Sequence, residues 1–168
     1  MTDPGGLSDT DSVTITVSGN TPPTATIATP AAGTTWKVGD TINFSGSATD
    51  AQDGTLPASA LTWQLIQHHC PSTCHTHLVQ TFEDVASGSF SAPDHEYPSY
   101  LELRLTATDS GGLSHTTSVR LDPRTVVLCF QTSPGGLALT VDGASARASF
   151  TRTVIVGSAH TISANSRS

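Results

Sequence analysis

Residues 100–121 read YLELRLTATDSGGLSHTTSVRL. Leu101, Leu103, Leu105 and Ala107 occupy every second position, Asp109-Ser110-Gly111-Gly112 breaks the run, and Val119 and Leu121 resume it. Alternation with a period of two around an Asp/Gly turn is the pattern of paired antiparallel strands, each with one face turned to a core.

Outward from this hairpin the same pattern repeats. Ala25 and Ile27 mark a first strand, and Ile42, Phe44, Gly46 and Ala48 a second, opened by the Val38-Gly39-Asp40 turn. Trp63 and Leu65 lie on a third, Val79 on its hairpin partner and Phe90 on a short fifth. Short strands at this spacing predict two sheets, because stripes buried at about 25 cal/mol per Å² need each other as cover. Composition agrees: 48 of the 168 residues are Thr or Ser and only 12% are charged, while strong helix formers are scarce. The expected class is all-β. Seven Lys and Arg against 14 Asp and Glu give a net charge of −7, which argues against nucleic acid and anionic membrane as partners.

Residues 2–20, TDPGGLSDTDSVTITVSGN, recur in altered form as TDSGGLSHTTSVRLDP from Thr108 to Pro123. The first copy has no sandwich before it, so residues 1–19 are expected to be the terminal strand of a preceding module in a larger protein. Such an orphan strand, with Val13, Ile15 and Val17 in step, would suit assembly by strand donation to a second copy. Gly19-Asn20-Thr21-Pro22-Pro23 reads as a stiff, extended linker. Residues 20–123 form the expected sandwich, and residues 124–168 a small hairpin or meander. In that last segment Val126, Leu128 and Phe130 alternate, Ser133-Pro134-Gly135-Gly136 turns, and Leu137, Leu139 and Val141 alternate again. This predicts a hairpin ladder with Cys129 as a buried thiol.

GDTINFSGSATDAQDGTLPASALTWQL (residues 39–65), taken with residues 100–121, resembles the PKD-like branch of the immunoglobulin-like sandwiches, modules of secreted bacterial enzymes and surface proteins. The family's WxFGDG hallmark is missing, since Trp63 is followed by Gln64, Leu65 and Ile66. HHCPSTCHTH (residues 68–77) and APDHEYPSY (residues 92–100) further resemble modules appended to secreted quinoprotein glucose/sorbosone dehydrogenase-like proteins, and residues 124–168 are similar to PEGA-type β repeats. The resemblance implies an immunoglobulin-like antiparallel sandwich in a secreted bacterial protein. It implies a non-catalytic accessory or spacer module whose partners are the neighbouring domains.

Four of the seven histidines and two of the three cysteines lie within residues 68–77. If Cys70 faces Cys74 across a hairpin tip, His69 pairs with His75 and Gln67 with His77, which puts three imidazoles on one side and His68 on the other. In an immunoglobulin-like sandwich the loop holding His95 and Glu96 lies at the same end. His69, His75 and His77, with His95 or Glu96 as a fourth ligand, then form a nitrogen-rich set suited to zinc or copper. The secreted context implied by the resemblance favours a disulfide between Cys70 and Cys74 over thiolate ligation or free thiols. At the opposite end Asp50, Asp53 and Asp109 gather oxygens that suit calcium, against the simpler reading of Asp as a turn-former bonded to its own backbone. Trp36 is the expected exposed aromatic for an alternative function, binding polysaccharide on behalf of an attached enzyme. No GxSxG, HExxH or phosphate-cradling glycine loop occurs, so no enzyme is expected.

Overall fold

The computed structural model describes residues 12–14 and 19–164. The expected orphan strand falls almost wholly outside them. Among the described residues fourteen strands follow in order: β1 (Thr24–Thr29), β2 (Thr35–Trp36), β3 (Thr41–Asp50), β4 (Gly54–Thr55), β5 (Leu61–His69), β6 (His75–Glu83), β7 (Ser87–Ser91), β8 (Ser99–Thr108), β9 (Ser114–Pro123), β10 (Thr125–Phe130), β11 (Ala138–Val141), β12 (Ala144–Arg147), β13 (Phe150–Ile155) and β14 (Ile162–Ala164).

The chain is an all-β sandwich. One sheet has the order β2-β9-β8-β5-β6, and in the other β3 pairs with β1, β4 and β7. Consecutive strands thus divide between two layers, as in immunoglobulin-like folds. Alternation drives the division: in β5 and β8 every second side chain is buried, from Leu61 through Gln67 and from Ser99 through Ala107. Facing them are Ile42, Phe44 and Ala48 of β3, Ala25 of β1 and Phe90 of β7. Phe44 is the hub, with ring centroids 4.8 Å from Trp63 and from Phe82 and 6.5 Å from Phe90. Gly46 brings the sheets this close. A Cβ there would lie 2.7 Å from Thr26 O and 2.9 Å from atoms of Leu105 and Trp63, so β3 cannot carry a side chain at that point without displacing the core.

The exposed tryptophan expected at position 36 is a correction. Trp36 is fully buried, and its indole Nε1–H donates to Leu121 O at 2.9 Å. β2 runs parallel to the end of β9, and the next segment closes over it: Arg124 N–H donates to Trp36 O, Val156 N–H to Arg124 O, and Val38 N–H to Val156 O. Ile155 joins the same core, so residues after 123 are fastened to the sandwich rather than hanging from it.

The hairpin ladder expected there is also different. β10 pairs with β13, not with β11, and Phe130 stacks on Phe150 at 5.0 Å across that pair. β11 pairs with β12 through the Asp142-Gly143 turn and with β14 on its other edge. The turn at residues 133–136 therefore leads from one small sheet to another. Cys129 is exposed, because the buried Phe130 lies on the opposite face of β10.

Candidate functional site

The Cys70–Cys74 disulfide closes the β5–β6 hairpin. Register from that tip runs His69↔His75, His68↔Thr76 and Gln67↔His77. His69 ends the inward stripe Leu61-Trp63-Leu65-Gln67, so the imidazoles of His69, His75 and His77 continue the core face to the pole of the sandwich. A bulge makes this phase work. Leu65 pairs with Gln80 but Ile66 with Leu78, leaving Val79 as the extra residue. Were Val79 paired in regular register instead, His77 would oppose His68 and both β6 histidines would turn to the outer face, since a one-residue shift inverts every side chain.

The loop before β8 arrives at the same pole, held by Cys70 N–H donating to Pro98 O at 2.9 Å. It brings His95. Ring centroids are 5.0 Å apart for His69 and His75, 4.6 Å for His69 and His95, 4.8 Å for His75 and His77, and 6.1 Å for His77 and His95. All four histidines read from the sequence are thus brought together. His69 Nε2 is buried without a partner, and so is the amide Nε2 of Gln67, which is 2% exposed. Burial, reinforced by His95, His75 and His77 and opposed by Glu96, holds the His69 imidazole below its ordinary range. Among the described residues no group of three or more His, Cys, Asp or Glu is arranged to hold a metal ion as it stands.

His69 supplies a pH prediction. A base held below its ordinary value of about 6.5 favours the neutral ring in the folded state. The resulting stability is complete above the unfolded value and is lost as pH falls through the folded one. A titration of imidazole Cε1–H resonances should show His69 with a midpoint below that value. A midpoint at or above 6.5 would contradict the buried geometry.

His68, on the other side of the hairpin, takes part in a separate ladder. Its Nε2 lies 2.8 Å from Glu102 Oε2, and its ring stacks on Tyr100 at 4.4 Å.

At the far pole the loops of Asp50, Asp53 and Asp109 do converge. Asp50 Oδ1 accepts from the N–H groups of Gln52 and Asp53, both at 2.8 Å. Asp53 accepts from Ser110 N–H and Oγ–H at 2.8 and 2.9 Å. Asp109 accepts from Leu113 N–H at 2.8 Å and from Asn20 Nδ2 at 2.9 Å. Five of the six carboxylate oxygens thus staple turns, and calcium would have to compete with those donors. Asp50 Oδ2 is the sixth, buried and without a partner.

One constellation escaped the sequence reading. His160 Nδ1 lies 2.8 Å from Asp142 Oδ2 and its Nε2 lies 2.7 Å from Ser158 Oγ. Ser158 Oγ–H donates to Ile155 O at 2.7 Å, and Ala159 N–H is engaged by Asp94 Oδ2 at 3.1 Å. Both ring nitrogens of His160 are thus engaged, and the Ser158 hydroxyl has Ile155 O as an acceptor as well. The Thr161 N–H and His160 hold the Asp142 carboxyl below the usual carboxylate range. The network straps the β11–β12 turn to the segment before β14. Its members are separated in sequence and share no motif, so only the fold assembles them.

Compared with family models, with curated proteins and with solved structures, the chain gives no match. Its functional reading rests on this geometry.

Proposed function

We propose that the protein is a non-catalytic accessory module of the PKD-like kind, exported in a larger bacterial protein, whose disulfide-clipped pole binds one transition-metal ion through His69, His75, His77 and His95. The spacing of the four rings carries the reading. An imidazole bound at about 2.0–2.1 Å has its centroid about 3 Å from the metal, so tetrahedral ligands to one ion stand about 5 Å apart, centroid to centroid. Four of the six pairwise separations, at 4.6–6.1 Å, lie near this value. Rotation about the Cβ–Cγ bonds, a soft torsion, turns the ring nitrogens inward. The unpartnered Nε2 of His69 is then a neutral donor in want of an acceptor of its lone pair. Nitrogen ligands of this type suit zinc and copper, with copper(II) the tighter.

Calorimetric titration of the disulfide-intact protein at neutral pH should give one zinc or copper(II) ion per chain. His75→Ala/His77→Ala should abolish that binding. Equal affinity in the wild type and the double variant would end the proposal.

A further inference from the structure

A cleft of about 450 Å³ opens on the outer side of the five-stranded sheet, lined among others by Tyr97, Ser99, Tyr100, Arg120, Asp122 and Thr125. We infer that it is a binding site for neutral polysaccharide, taking one or two sugar units of a longer chain. The inference is independent of the metal reading, and no histidine lines the cleft.

Two features point to a sugar. Tyr97 is 44% exposed beside Pro98, which offers a flat apolar surface with a hydroxyl at its edge, suited to the C–H face of a pyranose. Arg120 and Asp122 form a fixed polar pair. The Arg120 Nε–H and Nη2–H both donate to Asp122 Oδ1, at 2.9 and 2.8 Å. The guanidinium lies 3.7 Å over the Tyr100 ring, which is itself stacked on His68. This fixes the guanidinium and leaves Arg120 Nη1 and Asp122 Oδ2 as neighbouring donor and acceptor for a ligand. A vicinal diol presents the complementary acceptor and donor.

Charge selects among glycans. Arg120 is neutralised by Asp122, and the chain carries −7 overall, so the cleft suits a neutral sugar better than a uronate or sulfated one. Its volume falls in the range of small-molecule clefts. The glycan-binding role expected of Trp36 thus moves to a different part of the molecule.

Native affinity electrophoresis of the full chain tests this, in gels containing soluble mixed-linkage β-glucan, xylan or galactomannan, with alginate as a polyanionic comparison. EDTA in every gel removes any metal contribution. The wild type should be retarded in at least one neutral gel and not in alginate. Tyr97→Ala and Asp122→Asn should each weaken retardation tenfold or more, while Tyr97→Phe keeps most of it. Tyr97 and Asp122 both lie at the surface outside the core, so circular dichroism should show the fold intact. Absence of retardation in all three neutral gels, retardation in alginate alone, or equal retardation of wild type and variants overturns the inference.

Discussion

Trp36→Ala should lower stability by about 3–5 kcal/mol, the range for removing a large aromatic from a packed interior. At this chain length that corresponds to a Tm lower by roughly 6–20 °C. The indole is the largest side chain where the two sheets and the segment after β9 meet, and it is fully buried. Its removal leaves a cavity that cannot collapse easily, because β2 is only two residues long and Trp36 O is engaged by Arg124 N–H. Trp36→Phe separates packing from hydrogen bonding. The ring remains, but Leu121 O loses the indole donor, which should cost about 1–3 kcal/mol. Chemical denaturation followed by circular dichroism measures both. A Trp36→Ala protein within about 1 kcal/mol of wild type would mean that this residue lies at the surface after all.

The same residue shows what the sequence could and could not reveal. The core of β3, β5 and β8 was legible, because Ile42-Phe44, Leu61-Trp63-Leu65 and Leu101-Leu103-Leu105 each alternate over several positions. Residues 34–38, TTWKV, alternate too briefly to define a face, and Trp36 is covered by chain that lies more than eighty positions away. Partner choice after residue 123 was illegible for a related reason. Turn residues at 133–136 announce a reversal, but not whether the strands on either side pair, and here they do not.

The imidazole pole is a different case. Its register followed from Cys70 and Cys74 facing each other, a constraint local to ten residues, and the approach of His95 followed from the strand order of the fold. The bulge at Val79 had no sequence signal, yet it reconciles the core phase of Phe82 with the inward phase of His77 and His75. The cleft beside Tyr97 was illegible because its lining comes from three strands, the hairpin tip and the loop before β8, whose residues look like ordinary surface.

Saturating zinc or copper(II) should raise the Tm of the disulfide-intact protein by roughly 5–11 °C. A ligand at a hundred times its Kd adds about 2.7 kcal/mol to folding, and each kcal/mol is worth about 2–4 °C at this size. The gain should vanish in His75→Ala/His77→Ala and shrink in His95→Ala, but persist in His68→Gln. His68 lies at the same tip, yet on the outer face against Tyr100, so it separates ligation by the inward set from adventitious binding to any histidine-rich loop. Imidazoles must be neutral to ligate, so the shift should diminish as pH falls through about 6.5 and below. The disulfide adds a second lever. Closing so short a loop is worth about 2 kcal/mol in the chain-entropy model. Cys70→Ser/Cys74→Ser should therefore weaken metal affinity by up to ~30-fold, since binding must then order the tip that the covalent clip had already restricted. A Tm that stays unchanged with metal in the wild type, or that rises equally in His75→Ala/His77→Ala, would show that the four rings are packed together without serving as ligands.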